Sequence, residues 1–252
     1  MTGMRKFEDH FSAKAGTYAS HRPAYPEELF AYLGSLSPHR DLAWDCGTGN
    51  GQAALGLADV FRRVVATDAS ADQISLAPSR KGVEFRIARA EEAGLESHAV
   101  ALVTVAVAVH WFDLDKFYAE VRRVLSPGGV LAVWCYPLPE IAPAVDRILD
   151  GYLRETLSGY WPDGFRYVLD GYRSLPFPFD EVRPPPFFME ASWSVADLMG
   201  FLQSWSGTTN FERQRGFNPV ELIRPNLIDA WGAEVENRSI RWKLFLRIGQ
   251  VL

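Results

Sequence analysis

The residues with the clearest chemical meaning lie in one short segment, Asp45–Gln52 (DCGTGNGQ), directly after the apolar run Leu42–Trp44. A strand followed by a glycine turn and a helix start is how an α/β sheet builds a small-molecule site. Glycines let the backbone approach a ligand, and the first N–H groups of the helix point outward. Because Asp45 stands immediately before the glycines, its carboxylate would repel a pyrophosphate. The segment therefore favours a cationic or hydroxyl-rich ligand.

A second acid supports a ligand of the nucleoside type. Asp68 ends the next apolar run, Val64–Thr67, about one βα unit downstream. An acid at that place can accept hydrogen bonds from both ribose hydroxyls. A dinucleotide such as NAD stays open as the ligand, because dinucleotide-binding proteins also use an acid at this place. The dinucleotide fingerprint G-x-G-x-x-G, however, requires its third glycine where Gln52 stands, so NAD is the weaker alternative.

The acid followed by alternating glycines resembles motif I of class I S-adenosylmethionine (SAM) dependent methyltransferases, whose pattern is an acid, one residue and then G-x-G-x-G. The resemblance implies SAM as cofactor, S-adenosylhomocysteine as product and a glycine loop beneath the methionine part of SAM. It also implies that Asp45 accepts from the ligand's ammonium, directly or through water. No metal site is expected. The cofactor-binding residues that the resemblance implies are Asp45, Gly47, Thr48, Gly49, Gly51, Gln52, Asp68, Ala69, Ala90, Glu91 and Val107.

The segment Ala88–Glu92 (ARAEE) resembles a third motif of the same family. In the family a backbone amide and an acidic side chain of this segment hold the adenine ring, and this role is carried over to Ala90 and Glu91. The family more often has an aspartate where Arg89 stands, so adenine recognition by that side chain is in doubt. Without the resemblance, the two glutamates are a solvated loop.

The segment Val107–Asp113 (VAVHWFD) follows the fourth predicted strand, where open α/β sheets place their ligand crevice. It resembles the methyltransferase branch typified by trans-aconitate methyltransferase, which implies that His110 and Trp111 contact the acceptor. His110 is the candidate catalytic base for a phenol or hydroxyl acceptor, since histidine titrates near neutral pH. Alternatively, His110 is a neutral histidine of the core that is bonded to backbone, and Trp111 only fills apolar space under the cap. Phe112 is expected in the core.

Shorter segments resemble that branch outside the core. Tyr18, Arg22 and Tyr25 match its Y-x-x-x-R-P-x-Y-P segment, and Trp205 belongs to a Trp-Ser pair that faces the acceptor in relatives. An arginine with tyrosines near the site would clamp a carboxylate by charge-assisted hydrogen bonds. Alternatively, Arg22 only pins the N-terminal segment to the domain.

These residues need a sheet to bring them together, and the pattern between residues 41 and 136 supplies one. Short β-branched runs alternate there with amphipathic segments, which indicates repeated βα units and a parallel sheet. Pro127-Gly128-Gly129 is expected to end a helix and turn the chain into the next strand. The predicted strands are Leu42–Cys46, Val64–Thr67, Val83–Ile87, Val100–Val107 and Val130–Tyr136, and the predicted helices are Gly51–Phe61, Ala71–Ser79 and Asp113–Leu125.

Beyond Tyr136 prolines and aromatic residues increase, which predicts a helical, aromatic cap over the ligand end of the sheet. We expect strand six at Phe187–Trp193, a helix from Val195 to Trp205 capped by Ser194, and a last strand at Ser239–Val251. The fold is then an α/β, Rossmann-like, doubly wound and mostly parallel seven-stranded sheet. Its expected parts are an N-terminal helical lid (1–40), the SAM-binding core (41–136), the inserted cap with strand six (137–192), and C-terminal helices with the last strand (193–252).

Composition limits the partners. The 252 residues include 31 acidic and 26 basic ones, for a net charge of −5, which disfavours nucleic acid. Cys46 and Cys135 end apolar runs and are expected to be reduced, buried thiols. The longest apolar run, Ala99–Val109, is too short to cross a bilayer, and the first eleven residues lack a signal-peptide core. A cytoplasmic protein with no membrane partner is expected.

The expected function is methyl transfer from SAM to a small-molecule acceptor, with an organic acid as one candidate. Three alternatives stay open: an NAD(P)-dependent oxidoreductase, a protein or RNA methyltransferase, and a SAM-binding protein without activity. Acceptor identity and oligomeric state do not follow from these residues.

Overall fold

The computed structural model describes residues 23–233 and 236–251 as one mixed sheet flanked by helices. The strands lie in the order β3-β2-β1-β4-β5-β8-β6, and β7 also pairs with β8. Their bounds are β1 Leu42–Cys46, β2 Arg63–Asp68, β3 Val83–Ile87, β4 Val100–Ala106, β5 Leu125–Cys135, β6 Asp180–Val182, β7 Phe187–Trp193 and β8 Arg238–Gln250.

Helices connect the strands and cover both faces of the sheet. A 3₁₀ turn at Val109–Trp111 follows β4, and a π-helix at Tyr152–Thr156 follows the fifth α-helix. The α-helices are α1 Glu27–Leu36, α2 Gln52–Leu57, α3 Ala71–Ser75, α4 Leu114–Val124, α5 Pro143–Gly151, α6 Phe165–Leu169, α7 Val195–Gln203, α8 Ser206–Arg215 and α9 Val220–Trp231.

The strand order reverses between β1 and β4. The first three strands run outward in one direction from β1, while β4 and β5 lie on its other side, and all five are parallel. At such a reversal the loops after the two central strands leave in opposite directions and open a crevice at the carboxyl ends of the strands. The expected Rossmann-like, doubly wound α/β fold is confirmed, and its crevice lies beside the ends of β1 and β4.

The first strands match their predictions closely because their apolar runs are buried and sharply bounded. β1 and β3 begin and end as predicted, and β2 is longer by one residue at each end. The helices α2 and α3 are shorter than expected. Hydrogen-bonded turns replace the last turn of α2, and Pro78 follows soon after α3, where it disfavours helical geometry at the preceding residue.

The strand β5 begins at Leu125 instead of Val130. Its pairing with β4 slips by several residues, because Leu125 lies opposite Val100 while Val130 lies opposite Leu102. Residues 127–129 lie at this irregularity inside β5, where Gly128 adopts a φ of +74°. The prediction that they end the helix is therefore wrong, because α4 already ends at Val124 and the strand runs through these residues.

The predicted sixth strand, Phe187–Trp193, is present as β7 with the same bounds, and the short strand β6, which was not predicted, precedes it. Both β6 and β7 pair antiparallel with β8, and the three prolines 184–186 separate them. Proline has no N–H to donate to a ladder, so the pairing stops there and the sheet has eight strand segments instead of seven. After β7, Ser194 is the N-cap of α7, as predicted. Its side chain accepts from the backbone N–H of Asp197 and forms a capping box with that residue.

Among residues 23–233 and 236–251, no helix has the length and apolar character needed to cross a bilayer.

Candidate functional site

The loop after β1 is built from glycines in left-handed backbone geometry. The φ angles are +66° at Gly47, +56° at Gly49 and +92° at Gly51. Other residues adopt such angles at a cost, so the pattern of glycines follows from the shape of the loop. The backbone N–H of Thr48 donates to the carbonyl of Thr67 (2.9 Å), which ties the loop to β2.

The three glycines differ in what surrounds them. A Cβ atom at Gly47 would lie 2.6 Å from Cβ of Ala108, and one at Gly51 would lie 2.6 Å from the ring of Phe85. Within the described part of the chain, a Cβ at Gly49 would meet nothing within 4 Å except the end of one side chain at 3.7 Å. Gly47 and Gly51 are thus required for packing, whereas the backbone at Gly49 has open space beside it.

The side chain beside Gly49 is Gln73 of α3. It is only 4% exposed, and its Oε1 is buried without a hydrogen-bond partner among the described residues. A buried amide oxygen that lacks a partner costs free energy. A polar group of a ligand bound beside Gly49 could donate a hydrogen bond to this oxygen.

The carboxylate of Asp45 lies beneath this loop and is fully buried. Its Oδ2 accepts from the Thr48 hydroxyl (2.5 Å), and its Oδ1 accepts from the Thr104 hydroxyl of β4 (2.7 Å). Burial raises the pKa of Asp45 to about 6, against the effect of these two hydrogen bonds. The structure thus gives Asp45 the task of holding the loop and β4 together, and its expected contact with an ammonium stays a prediction.

Asp68 ends β2 directly opposite the open glycine. Its Oδ2 accepts from the backbone N–H of Gly49 (2.9 Å), and its Oδ1 accepts from the backbone N–H of Ser70 (2.9 Å). Ala69 lies between them and is partly exposed. These two bonds fix the orientation of the Asp68 carboxylate beside the glycine loop.

The predicted adenine segment forms a tight turn after β3, closed by a bridge between Arg89 and Glu92. Ala90 is buried within it. The Glu91 carboxylate accepts from the backbone N–H of Asp113 (3.1 Å) and pairs with Nε of Arg89 (3.3 Å). Arg89, which stands where the family more often has aspartate, therefore interacts with the neighbouring acid. Adenine binding by this turn stays a prediction.

The chain is strained where β4 ends. Val107 has a φ of +56°, a rare geometry for a β-branched residue, and its N–H donates to the carbonyl of Trp134 (2.9 Å). Strain of this kind persists only where the surroundings impose it, and it occurs most often at functional sites. The 3₁₀ turn that carries His110 and Trp111 follows directly.

His110 differs from the expected catalytic base in its protonation. Its Nδ1 lies 3.0 Å from the hydroxyl of Tyr172, and its ring lies 5.0 Å from the ring of Trp111. Burial lowers the pKa of His110 to about 3, far below the neutral range that the sequence suggested. The imidazole is neutral at physiological pH and is a weak base. Tyr172 was not singled out from the sequence, so this partner of His110 was missed.

The other expected acceptor residues that the structure describes make packing contacts with aromatic neighbours. Tyr25 packs edge-on against Trp134 of β5, with 5.4 Å between ring centroids. Trp205 is 7% exposed and lies within an aromatic cluster whose members are Tyr152, Trp161 and Phe201. Tyr18 and Arg22 lie outside the described residues.

Phe112 belongs to the core, as predicted, and packs against Phe117 with 5.0 Å between ring centroids. Gln52 has a structural partner, because its side-chain amide donates to the carbonyl of Pro23. This bond attaches the segment before α1 to the start of α2, at the position where a dinucleotide fingerprint would need glycine.

Comparison with known proteins decides the family. The model of a methyltransferase domain matches residues 44–133, which run from β1 to β5. A Dictyostelium discoideum protein described as a methyltransferase is 34% identical over 230 residues, which cover 90% of this chain and 88% of that protein.

The chain belongs to the class I SAM-dependent methyltransferases.

Solved structures agree with this assignment. A structure from Anaeromyxobacter dehalogenans, described as a type II methyltransferase, is 42% identical and superposes with a TM-score of 0.84. The match covers 92% of this chain and 98% of that protein. A Saccharomyces cerevisiae relative, described as SAM-dependent, is 26% identical over 62% of this chain and 58% of its own length. None of the three descriptions names an acceptor.

SAM is therefore the cofactor of this methyltransferase, and the oxidoreductase alternative is set aside. The residues at the glycine loop fit the group. Gly49 offers backbone with open space beside it, Asp68 supplies a carboxylate held by two backbone bonds, and Gln73 leaves a buried oxygen unpaired. Thr104 and Gln73 are the residues of this region that sequence reasoning missed, because neither belongs to a recognisable motif.

The glycine geometry yields a first prediction. Gly49→Ala places a methyl group where the structure is open, so we expect a loss of about 1–2 kcal/mol in the free energy of unfolding from its positive φ. We expect this variant to lose at least about tenfold in affinity for S-adenosylhomocysteine, equivalent to ~1.4 kcal/mol. Urea unfolding and calorimetric titration measure the two effects.

Gly47→Ala is the matched control, because it adds a clash with Ala108 to the same backbone strain. It should lose more stability than Gly49→Ala. Wild-type affinity in the Gly49→Ala protein would contradict the placement of the cofactor beside that residue.

The buried carboxylate yields a second prediction. The pKa of Asp45 is about 6 in the folded protein against a model value of 3.8, so the folded state binds more protons than the unfolded state between these values. Its contribution to stability is therefore fully present below pH 3.8 and is lost as the pH rises to 6. Relative to Asp45→Asn, the free energy of unfolding of the wild type should fall by about 2 kcal/mol from pH 4 to pH 7.

Urea unfolding at several pH values in this range measures the difference. A difference between the two proteins that does not change with pH would show that the pKa of Asp45 is the same in the folded and unfolded states, and would contradict its rise to about 6.

Proposed function

We propose that this methyltransferase transfers the methyl group of SAM to a carboxylate of a small organic acid. The observation that carries the proposal is the contact of His110, the residue expected to take a proton at the end of β4, with the buried hydroxyl of Tyr172, which lies 3.0 Å from its Nδ1. Because burial lowers the pKa of His110 to about 3, it accepts a proton poorly at neutral pH. A phenol or alcohol needs such an acceptor when it is methylated, whereas a carboxylate is already ionised.

The reaction is balanced without a proton acceptor. When bound, SAM supplies a methyl group on a sulfonium; the carboxylate oxygen bonds to that carbon as the carbon–sulfur bond breaks and its electron pair stays on sulfur. The protein's task is then to hold the two reactants in line and exclude water, and such alignment supplies on the order of 7–11 kcal/mol.

On the cofactor side, Asp68 binds the ribose hydroxyls and Gly49 presents its backbone to the methionine part. Asp45 keeps the loop in place through Thr48, and the turn with Ala90 binds adenine. These roles are supported by the open space at Gly49 and by the two backbone bonds to Asp68. The full proposed set is Asp45, Gly47, Thr48, Gly49, Gly51, Gln52, Asp68, Ala69, Ala90, Glu91 and Val107.

On the acceptor side, residues of the cap pack against the turn that carries His110. Gly164 packs so closely on the carbonyl of His110 that a Cβ would not fit, and Trp161 stacks on Phe165 of α6 with 3.7 Å between ring centroids. An aromatic cover over the end of β4 favours a small acceptor over a protein or RNA. The cap at 137–192 is proposed as a separate part from the lid (1–40), the core (41–136) and the C-terminal part (193–252).

We include Tyr18, Arg22, Tyr25, Trp111 and Trp205 in the proposed acceptor site together with His110. An arginine is the side chain best suited to orient a carboxylate, because it donates two parallel hydrogen bonds. Trp205 acts by supporting the aromatic cluster of the cap, which its burial favours.

Transfer of labelled methyl from SAM to a panel of small acids, phenols and alcohols tests the proposal. We expect product only with the acids, as methyl esters that release methanol in base. The value of kcat/KM should stay constant between pH 7 and pH 8.5, above the pKa of Asp45, because neither the acceptor nor His110 titrates there. Methyl ethers of phenols as the sole products would contradict the proposal.

Substitution of His110 separates the two roles that it could have. Glutamine keeps an N–H donor but cannot take a proton, so His110→Gln should retain activity within about tenfold of wild type, whereas loss of a catalytic base costs about 10²–10⁴-fold. His110→Ala, which removes the donor as well, is the matched comparison. Calorimetry with S-adenosylhomocysteine should give unchanged affinity for both.

A further inference from the structure

The bond between Tyr172 and His110 joins the cap to the end of β4. Tyr172 is fully buried, and its hydroxyl lies 3.0 Å from Nδ1 of His110. Burial raises the pKa of Tyr172 well above its usual value, so the phenol keeps its proton. Burial is also the cause of the low pKa of His110, and no charged neighbour contributes to it within the described part of the chain.

Two proton arrangements are compatible with this distance, and only one satisfies the buried groups. If Tyr172 donates to Nδ1, the single imidazole proton lies on Nε2 and every polar atom of the pair is used. If Nδ1 instead carries the proton and donates, the hydrogen of the Tyr172 hydroxyl has no acceptor among residues 23–233 and 236–251. A buried donor without a partner is costly, so the first arrangement is favoured.

The backbone of Tyr172 is held in a left-handed conformation that residues other than glycine rarely adopt. Its φ is +61°. Its N–H donates to the carbonyl of Tyr167 (2.7 Å), and its carbonyl accepts from the guanidinium of Arg247 (3.1 Å). Arg247 is itself held by Glu181 and by the carbonyl of Leu175 (2.6 Å). Several interactions therefore maintain a strained residue whose phenol meets the histidine, as is typical of functional positions.

The other nitrogen of His110 is available to a ligand. Nε2 makes no hydrogen bond to a described residue, yet it is absent from the buried atoms that lack a partner. The imidazole is partly exposed, whereas Tyr172 behind it is fully covered. Nε2 is thus the accessible polar atom of the hydrogen-bonded pair formed by His110 and Tyr172.

We propose that Tyr172 is a positioning residue that holds His110 as the neutral tautomer with its proton on Nε2, so that His110 meets the acceptor as a hydrogen-bond donor. The tautomer follows from the pair alone, while its use on a carboxylate acceptor rests on the proposed function. An N–H aimed at a carboxylate makes a charge-assisted hydrogen bond and orients the acceptor. His110 in this form does not remove a proton.

Nitrogen-15 NMR of the histidine side chains tests the tautomer directly. The chain has five histidines, and the spectrum of His110→Gln identifies the His110 signals. In the wild type we expect an unprotonated Nδ1 and a protonated Nε2, unchanged from pH 5 to pH 8. In Tyr172→Phe we expect both nitrogens to shift toward intermediate values, since the two tautomers then interconvert.

Tyr118→Phe is the matched control. Tyr118 is also a buried tyrosine whose hydroxyl donates to a carbonyl of the cap segment, that of Pro176, but it does not contact His110. This variant should leave the His110 signals at their wild-type positions. If it shifts them as Tyr172→Phe does, the effect comes from a looser cap and the proposal is wrong.

The wild-type spectrum tests the proposed tautomer of His110 even if a variant fails to fold. A proton on Nδ1, or an equal mixture of tautomers, overturns the proposal, as does an unchanged spectrum in folded Tyr172→Phe. In the assay we expect Tyr172→Phe to lose about two- to tenfold in kcat/KM, the effect of one neutral hydrogen bond. If carboxylates prove not to be methylated while the spectra are as expected, the proposed acceptor fails and the Tyr172–His110 assignment stands.

Discussion

The site depends on one buried carboxylate. Asp45 and Thr104 lie directly opposite each other in the pairing of β1 with β4, and the Thr104 hydroxyl donates to the Asp45 carboxylate. The other carboxylate oxygen accepts from Thr48 in the glycine loop. These two bonds join both strands of the topological reversal to the loop that leaves it. Burial of the acid is costly, and the two hydroxyl donors offset part of that cost.

The two sides of the crevice use opposite electrostatic devices. On the β1 side, acids remain close to the loop, and Asp68 is held by two backbone N–H groups. On the β4 side, burial lowers the pKa of His110 and keeps the imidazole neutral. Under the proposed function, the acids attract the positive charge of SAM at one end of the crevice, and His110 offers the acceptor a hydrogen-bond donor at the other.

Local patterns predict the core of this fold well and its long-range contacts poorly. The strand β1 follows from an apolar run that ends in Asp45 and a glycine, and Ser194 is recognisable as a cap from its own neighbours. The pair His110–Tyr172 spans 62 residues and depends on how the cap returns to the sheet, which no local spacing encodes. Likewise, the pKa of His110 depends on burial by that cap, so a residue type expected to titrate near neutral pH does not do so here.

Calorimetric titration with S-adenosylhomocysteine and, separately, with NADH tests the central claim most directly, on the wild type and on Asp68→Ala. We predict micromolar affinity of the wild type for S-adenosylhomocysteine, no heat with NADH, and loss of binding in Asp68→Ala. Asp72→Ala, which removes an exposed acid of the adjacent helix, should bind as the wild type does. Binding of NADH alone, or undiminished affinity for S-adenosylhomocysteine in folded Asp68→Ala, would contradict the cofactor site described above.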